Sequence, residues 1–392
     1  MVEQYDIAVV GGGAAGMLAA WTAAQRGARV ALIERTSKLG GAVQYGLHRW
    51  MCGLFPCDVQ QPDEFLHGPG VEHFCRLLVH GDPRTHAVRR GRVWLLPIPS
   101  GASFSACAHD MLVRERSLEL LLNERVRAAQ VVHEEGVAHI RAVELESGKI
   151  IEARAFIDCT GNAELCRLAD ASVEVPEHPA LGGYGLQIEG VRAAEASPFG
   201  MAIDVPRLCR QEAEQGALPP WCSFTTCEAM PEEGCVWLRL AVPGDVSLED
   251  VRAVEQNVFQ LLKQKIPAFQ QARKREETPY VLLREGVRVR GRYRLTGDDV
   301  LRARKRDDAV ARNSWPIERW DAEKGVKYGY LPEGAWHDIP ARSLQPEQGP
   351  INLLCAGMMI SSDHDAQASV RVTGTCMATG EAVAKMALSS LL

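Results

Sequence analysis

The chain has 392 residues, a formal net charge of −6 and 46% hydrophobic residues. This length allows two domains with separate cores, and the negative charge argues against a general attraction to nucleic acid, so we expect no nucleic-acid partner. No apolar run is long enough to span a bilayer, and the first ten residues lead directly into a strand rather than into a secretory signal.

The cysteine pattern bears on compartment and on metal content. The 12 cysteines are scattered along the chain and lack the close pairing of zinc or iron–sulfur ligands, so we predict no metal site. Free thiols in a chain of this size, with no predicted export signal, are typical of a reducing compartment. The sequence therefore predicts a cytoplasmic protein.

Residues 5–34 carry the strongest motif of the sequence. Residues 5–10 are mostly apolar and predict a buried parallel strand. An alanine-rich segment at 17–25 predicts a helix, and residues 28–33 predict a second strand that ends at an acid. The turn before the helix has the pattern Gly-x-Gly-x-x-Gly. A strand, a glycine turn, a helix, a strand and an acid in this order indicate a dinucleotide-binding site.

Each part of this motif has a physical role. Gly11 allows a tight turn, Gly13 lets the backbone approach a pyrophosphate, and Gly16 lets the helix pack closely on the strand. The N-terminus of the helix offers free N–H groups and the positive end of its dipole to an anion. Glu34 can accept hydrogen bonds from ribose hydroxyls, and its charge would repel a 2′-phosphate.

Three later features favour FAD over NAD. A glycine doublet, Gly40-Gly41, follows the acid closely and would let the backbone run along the phosphate and ribityl region of a cofactor. Residues 155–169 predict a buried strand that ends in a Thr-Gly pair, and residues 351–357 predict another buried strand with a final helix after it. Parallel strands that end in glycine line a cofactor crevice at their carboxyl ends.

The middle of the chain changes character twice. Three alternating runs within residues 125–159 are joined by glycine turns and predict a β-meander that returns to the main sheet. From residue 181 to residue 345, glycine, proline and tryptophan are frequent, a strand-like run lies at 236–242 and a helical one at 248–266. This second region is expected to form a domain of its own.

These patterns together predict an α/β fold in two parts. The first is a Rossmann-like FAD-binding domain, with a parallel sheet and a β-meander, formed by residues 1–180 and 346–392. Within it, residues 45–100 are expected to be a variable insertion near the flavin. The second part, residues 181–345, is predicted to be an inserted α+β substrate or cap domain.

Alternation in residues 287–294, VRVRGRYR, would place four arginines on one face of a strand. One interpretation is an anion-binding floor for a carboxylate or phosphate substrate. The other, which we favour for most of the four, is a solvated face paired with acids elsewhere. An RNA-binding interpretation lacks an interleaved aromatic stripe. The arginines are Arg288, Arg290, Arg292 and Arg294.

Several of these motifs together resemble one known family, the FAD-dependent oxidoreductases with a glutathione-reductase-like FAD-binding fold. The motifs are VVGGGAAG, IER and LGG near the front, IDCTGNAEL in the middle, and REGVRVRGRYRLTGDDVL, IPARSL and CAGMMISSDHDAQASVRVTGTCMATGEA near the end. The chain departs from the family at Met358, where Arg is common, and at Gly374, where Pro is common. Residues 45–100 and 181–280 match it poorly, and these regions should shape the substrate pocket.

The resemblance implies FAD as the cofactor and implies which residues contact it. It places the N–H groups of residues 373–377 at the pyrimidine edge of the isoalloxazine, and Val126 beside the adenine. The full set of expected cofactor contacts is Gly11, Gly13, Ala14, Ala15, Gly16, Glu34, Arg35, Gly40, Gly41, Ala42, Val126, Thr160, Gly161, Gly357, Ser369, Val370, Arg371, Thr375, Cys376 and Met377.

Four residues are candidates for catalysis. Arg371 could stabilise the reduced flavin or hold a substrate carboxylate, or it could form a structural salt bridge between domains. His364 could act as a general base near the flavin ring, although a structural role is the more common one. His48 and Cys52 follow the glycine doublet and are open to three interpretations: a covalent flavin tether, a catalytic group or packing, of which packing is favoured.

Cys52 and Cys57 have the spacing of the redox pair of flavin-linked disulfide reductases. In those enzymes the first cysteine follows the glycine doublet almost directly, whereas Cys52 lies well beyond Gly41. They also need an NAD(P)H domain and a His-Pro…Glu base pair near the carboxyl end, and neither is apparent. We therefore expect the spacing to be coincidental.

The function that these features predict is that of an FAD-dependent dehydrogenase or oxidase, which transfers a hydride between a small organic substrate and the flavin. The sequence has no second Gly-x-Gly-x-x-Gly pattern, so we expect oxygen, a quinone or a partner protein as the electron acceptor. The alternatives are a flavin-dependent monooxygenase and a flavoprotein that acts on a macromolecular substrate.

Overall fold

The computed structural model describes residues 2–192, 198–321 and 325–391. Its strands are β1 (Val2–Val10), β2 (Val30–Glu34), β3 (Trp50–Met51), β4 (Val88–Arg90), β5 (Val93–Pro97), β6 (Leu118–Leu122), β7 (Val126–Glu134), β8 (Val137–Leu145), β9 (Ile150–Asp158), β10 (Val173–Glu174), β11 (Gly182–Glu189), β12 (Thr226–Ala229), β13 (Val236–Val242), β14 (Arg273–Glu277), β15 (Arg288–Val289), β16 (Ala309–Asn313), β17 (Ile317–Asp321), β18 (Gly325–Gly329), β19 (His337–Pro340) and β20 (Leu353–Cys355).

Helices alternate with these strands through most of the chain. They are α1 (Ala14–Ala24), α2 (Ala42–Tyr45), α3 (Pro69–Val79), α4 (Pro83–His86), α5 (Gly101–Leu112), α6 (Glu164–Leu168), α7 (Pro198–Glu214), α8 (Leu248–Lys265), α9 (Gly297–Leu301), α10 (His364–Val370) and α11 (Thr373–Leu391). Short 3₁₀ turns occur at Pro220–Phe224, Pro267–Phe269 and Ala341–Leu344. Among the described helices, none is long and apolar enough to cross a membrane.

The main sheet has the strand order β6-β2-β1-β9-β8-β7. Strands β6, β2, β1 and β9 run parallel, and the end of β9 also pairs in parallel with β20. Strands β7 and β8 continue the sheet as antiparallel neighbours of β9. The predicted parallel sheet with a β-meander is therefore confirmed.

Both faces of the central strands are covered, which explains their almost continuous apolar sequence. On one face Ile7 and Val9 pack into a core shared with α1, α3, α5 and α11. On the other face Ala8 and Val10 pack with residues of the meander and of α6. Because successive residues of a strand point to opposite faces, β1 contributes side chains to two cores.

A second, antiparallel sheet has the order β12-β13-β11-β14. Its inner face, which includes Leu186, Leu238 and Leu240, packs with residues of α7 and α8 in a core of its own. Trp237 and Arg239 alternate with those leucines, so they lie on the outer face of this sheet. The outer face is the one that bears on the site described below.

Residues that follow the second sheet in the sequence pack in the core formed by α1, α3, α5 and α11. Leu295, Val300, Ile317 and Ile339 are buried with the residues of α1 and α11. We therefore propose that the second unit comprises about residues 181–281, a narrower range than the 181–345 expected from the sequence.

The arginine stretch at 287–294 does not form the expected long strand. Only Arg288–Val289 pairs, with β10, and Arg288 is buried against Glu285 and Glu174. Arg294 also contacts Glu174, at 2.8 Å, while Arg290 is exposed. Arg288 is thus buried, while Arg290, Arg292 and Arg294 are exposed. The four arginines therefore do not form one anion-binding floor, and two of them are paired with acids.

Candidate functional site

The glycine turn after β1 is shaped for close approach by a ligand. Gly11 has a φ of +100°, and a Cβ there would lie 2.5 Å from the carbonyl oxygen of Cys159. Helix α1 then begins after Gly13 without a side-chain cap. No atom lies within 4 Å of the position that a Cβ on Gly13 would occupy. The first N–H groups of α1, including those of Ala14 and Ala15, therefore face an open space that suits a diphosphate.

Glu34 lies beside this turn at the end of β2, only 8% exposed. Its Oε2 accepts a hydrogen bond from the N–H of Gly12 at 2.6 Å. Its Oε1 accepts from the N–H and the hydroxyl of Thr36, at 2.9 and 2.7 Å. These bonds fix the carboxylate at the position expected for a contact with ribose hydroxyls. Arg35, the next residue, is exposed and contacts Glu164 at 3.4 Å.

The glycine doublet packs directly against the first turn. Gly40 and Gly41 have positive φ values of +102° and +50°, which L-residues with a side chain rarely adopt. The N–H of Gly40 donates to the carbonyl oxygen of Gly12 at 2.9 Å, and a Cβ on Gly41 would lie 3.1 Å from Cα of Gly13. The structure thus brings the two glycine motifs together, and Ala42 begins α2 beside them.

The turn after β9 is held by Asp158, a residue that the sequence analysis did not single out. Its fully buried carboxylate accepts from the N–H and the hydroxyl of Thr160 and from the N–H of Cys166. Burial raises the pKa of Asp158 despite these bonds. The next glycine, Gly161, has a φ of +77° and only Met358 within 4 Å of a would-be Cβ. The acid at the end of a buried strand was the signal that could have identified Asp158.

Gly357 occupies the corresponding turn after β20. It has a φ of +87°, and its N–H donates to the hydroxyl of Thr379 at 3.0 Å. Met358, the departure from the family pattern, packs partly buried against the first core. Val126, the expected adenine contact, is buried at the start of β7 and packs in the core on the meander side.

The first turn of α11 is covered by the segment that contains Cys52. The N–H of Gly374 donates to the carbonyl oxygen of Cys52 at 2.9 Å, and a Cβ on Gly374 would lie 2.6 Å from the carbonyl oxygen of Gly53. A proline, which is common here in the family, would lose that hydrogen bond and clash with Gly53. Thr375 is anchored from behind, because its hydroxyl donates to Asn313 at 2.7 Å.

Several expected cofactor contacts in this region have buried side chains. Val370 and Met377 pack in the first core. Ser369 donates to the carbonyl oxygen of Trp315 at 2.5 Å and accepts from Asn313. Cys376 donates to the carbonyl oxygen of Arg371 at 3.3 Å. Their side chains are therefore not available to a cofactor. The backbone N–H of Cys376 donates to the carbonyl oxygen of Val372 at 2.9 Å and that of Gly374 to Cys52, so the expected contact of the N–H groups of residues 373–377 with the flavin is wrong for these two, because protein carbonyls already accept from them.

The side chain of Arg371 forms hydrogen bonds with the backbone of two distant segments of the chain. It donates to the carbonyl oxygen of Glu318 at 3.0 Å and to that of Arg284 at 3.3 Å. In the described part of the chain it forms no salt bridge. Burial lowers its pKa, and the nearby carboxylates of Glu318 and Glu285 oppose that effect.

His364 is the first residue of α10 and is about half exposed. Its Nδ1 lies 2.8 Å from a carboxylate oxygen of Glu285. This hydrogen bond raises the pKa of His364. Glu285 is itself held by the backbone N–H of Ala180 and by Arg288, so His364 lies in an ion-pair network.

His48 lies across from the second sheet, with its ring centroid 6.2 Å from that of Trp237. Burial and the positive charges of Arg239 and Arg284 lower the pKa of His48 to about 4. The imidazole is therefore neutral near pH 7, and the same burial and charges oppose its protonation. Its position beside two arginines was not predictable from the sequence.

The Cys52 and Cys57 thiols are both free. Burial raises the pKa of each to about 12, and Glu318 adds to the effect at Cys52. Because the thiolate is the reactive form of cysteine, neither residue has the environment of a redox-active thiol.

Arg284 completes a group that sequence reasoning missed. Its guanidinium lies 3.8 Å from the ring centroid of Trp320, and it donates to the carbonyl oxygen of Leu181 at 2.6 Å. Burial and the charges of Arg371 and Arg239 lower its pKa to about 9.

We refer to Arg239, Arg284, Arg371 and His48 as the arginine cluster. No spacing rule connects these residues, since they come from four separate segments.

Two other observations delimit the site. No group of three His, Cys, Asp or Glu side chains within residues 2–192, 198–321 and 325–391 could hold a metal ion. A surface cleft of about 820 Å³ beside α1 and α3, lined in part by Trp21 and His73, contains no predicted site residue.

Known proteins with a similar sequence or fold include reductases and an oxidase. A family model described as FAD dependent oxidoreductase matches residues 6–391. Digeranylgeranylglycerophospholipid reductase 2 of Methanopyrus kandleri is 29% identical over 163 residues, which are 38% of this chain and 39% of that protein. The match thus spans less than half of this curated relative.

Two solved structures can be compared over nearly the whole chain. A geranylgeranyl bacteriochlorophyll reductase-like protein from Thermoplasma acidophilum has a TM-score of 0.49 at 11% identity, over 100% of this chain and 79% of that one. Glycine oxidase from Geobacillus kaustophilus has a TM-score of 0.46 at 13% identity, over 98% of this chain and 95% of that one.

Proposed function

This chain belongs to the FAD dependent oxidoreductase family, and from that premise we propose that it transfers a hydride between a small organic substrate and FAD. The predicted family, cofactor and enzyme class are confirmed by the family match, which covers nearly the whole chain. When bound, FAD supplies the hydride chemistry, while the protein supplies binding, orientation and electrostatics.

The residues of the first unit fit this cofactor. The open turn at Gly13 suits the diphosphate, and the fixed, buried carboxylate of Glu34 suits ribose hydroxyls. Gly161 leaves room for a backbone contact at a further turn, whereas Gly41 lets the glycine doublet pack closely against Gly13. Because the Cys52 segment covers the first turn of α11 and accepts the Gly374 N–H, we expect this helix to act on the ring through the positive end of its dipole and not through that N–H.

The single observation that carries the proposed reaction is the arginine cluster. It lies between the outer face of the second sheet and the start of α11, where Arg371 follows the last residue of α10 and is separated from α11 by Val372. His48 is neutral there and offers a hydrogen-bonding group to a substrate hydroxyl or amine. Trp237 and Trp320 cover the cluster with apolar surface and so limit the access of water.

A panel of small alcohols, amines and hydroxy or amino acids, mixed with the holoenzyme without oxygen, tests this proposal. We expect at least one chemical class to bleach the visible absorbance of the bound flavin faster than it bleaches free FAD. A holoenzyme that no member bleaches would contradict the proposal. Oxygen consumption that requires NAD(P)H, with no bleaching by substrate alone, would indicate the monooxygenase alternative instead.

A further inference from the structure

We propose that the arginine cluster binds a carboxylate group of the substrate, with Arg284 as its main contact. This inference rests on the proposed hydride transfer at the same site and adds to it the substrate class, an organic monocarboxylate. Four observations support it: the fixed position of Arg284, its lack of a salt-bridge partner among the described residues, two buried donors without acceptors, and the single charge of Arg284.

Arg284 is held in place without being neutralised. Its Nη1 donates to the carbonyl oxygens of Leu181 and Gly182, and its plane lies on the ring of Trp320. In the described residues it forms no salt bridge, and its side chain is only partly buried. A guanidinium that is oriented by neutral groups keeps its remaining N–H groups and its full charge for a planar anion.

The outer face of the second sheet accommodates this guanidinium at a position without a side chain. Gly183 and Gly185 lie on that face, since they pair with Ala241 and Arg239 of the neighbouring strand. A Cβ on Gly183 would lie 3.5 Å from Nη2 of Arg284, so any larger side chain would occupy the space beside the guanidinium. Two glycines in one strand also weaken it, which is reasonable where a ligand must approach.

Two buried donors of this face have no acceptor among the described residues. They are Nε1 of Trp237 and Nε of Arg239. The Trp237 nitrogen would lie 2.9 Å from a Cβ on Gly185, which places it over the glycine-lined part of the sheet. Buried donors are almost always satisfied in native proteins, and a carboxylate bound at Arg284 would present oxygen acceptors on the same face.

Charge favours a monovalent anion. The carboxylates near the guanidinium groups of the cluster include those of Glu228, Glu285 and Glu318. Glu228 pairs with Arg239 at 2.6 Å and lies 3.7 Å from Arg90, and Glu318 accepts from the indole N–H groups of Trp315 and Trp320. Arg284 has no salt-bridge partner among the described residues. A monocarboxylate would match its single charge, whereas a phosphate dianion would bring a second negative charge into a partly buried site.

Calorimetric titration of the holoenzyme with benzoate, benzamide and inorganic phosphate tests this inference. We expect benzoate to bind about tenfold or more tightly than benzamide, which has the same shape without the charge. Arg284→Gln should weaken benzoate binding by a similar factor and leave benzamide binding unchanged. Arg284→Lys, which keeps the charge but loses the planar fork, should fall between the two.

Arg290→Gln is the matched control, because Arg290 is exposed and lies outside the cluster; benzoate affinity should stay within about twofold of the unsubstituted protein. Retained flavin content and an unchanged melting temperature identify variants that are still folded. Equal binding of benzoate and benzamide, undiminished benzoate binding by Arg284→Gln, or tighter binding of phosphate than of benzoate would each overturn the inference. Bleaching of the flavin is measured separately, so carboxylate binding without any bleaching would contradict only the hydride-transfer proposal.

Discussion

Single buried carboxylates organise the backbone turns at which the cofactor is expected. Glu34 and Asp158 each end a central strand, and each accepts hydrogen bonds from N–H groups of the turn beside it. Hydrogen bonds to an ionised acceptor are stronger than neutral ones, so these two side chains fix loops that would otherwise be free to move. We therefore expect these two carboxylates to determine how rigidly the neighbouring turns are held before a cofactor binds.

Replacement of Glu34 tests this at one position. In Glu34→Gln the amide NH₂ would face a backbone N–H, either that of Gly12 or that of Thr36, and a charged hydrogen bond would be lost. Such a loss costs about 1.5–3 kcal/mol, so we expect FAD to bind roughly 10–100-fold more weakly. Quenching of flavin fluorescence on titration of the apoprotein measures this. Glu146→Gln, at an exposed position, is the control, and equal affinities of the two variants would contradict the role of Glu34.

The Cys52 and Cys57 thiols give a second prediction at this scale. Because burial raises the pKa of both to about 12, they should not exchange electrons with the flavin. Anaerobic titration with dithionite should reach its end point at the two-electron capacity of the flavin alone. Cys52→Ser should have the same end point. Uptake of a further electron pair by the unsubstituted protein, lost in Cys52→Ser, would show that a redox-active dithiol exists.

At the scale of elements, the contact between α1 and α11 connects the two ends of the chain. Gly380 in α11 lies against the backbone of Ala15, and a Cβ on Gly380 would overlap the Ala15 carbonyl oxygen. Gly16 in turn lies against the carbonyl oxygen of Gly11. The last helix therefore supports the first turn of α1 from behind, and the glycines are required by the close approach of two backbones.

Gly380→Ala is expected to destabilise the protein by about 1–3 kcal/mol, because the added methyl group forces α11 away from α1. FAD affinity should fall as well, since the displaced helix supports the phosphate turn. Urea unfolding monitored by circular dichroism measures the stability. Gly244→Ala is the control, because its Cβ would make an ordinary contact of 3.6 Å with Pro179. A Gly380→Ala protein as stable as this control would show that the helices can separate at no cost.

At the scale of the whole molecule, three histidines are buried in the neutral form. Burial lowers the pKa of His48, His67 and His337 from 6.5 to about 4. In the unfolded chain these side chains bind protons below about pH 6.5, but in the folded protein they do so only near pH 4. The unfolded state therefore binds more protons in this window, and stability is lost as the pH falls through it. His364, whose pKa is raised, acts in the opposite direction.

We expect the free energy of unfolding to decrease from pH 7 to pH 5, with His337 alone contributing about 2 kcal/mol at pH 5. Urea denaturation at a series of pH values measures this. His337→Gln keeps an acceptor for the Asn313 amide, which lies 2.9 Å from His337 Nε2, and removes the titrating group. This variant should have a shallower pH dependence, and an unchanged slope would contradict the assignment.

The parts of the fold that could be predicted from the sequence are those in which a pattern of neighbouring residues is compatible with a single local structure. The apolar run before Gly11 could only be a strand covered on both faces, and the order of strand, glycine turn, helix and acid fixed the position of Glu34 beside that turn. The alternation of residues 125–159 likewise predicted the meander, because each strand pairs with its neighbour in the sequence.

The arginine cluster could not be predicted, because its members come from β13, from the segment after β14, from the residue after α10 and from the loop after α2. Residues 287–294 alternate as a strand would, yet Arg288 is buried while Arg290, Arg292 and Arg294 are exposed, and only Arg288 and Val289 belong to a strand pair. The sequence by itself determined the family and the cofactor and predicted the turns expected to receive it, since these depend on backbone conformations encoded by neighbouring residues. Only the tertiary structure decided which charged side chains share a site, because their proximity depends on how distant segments pack.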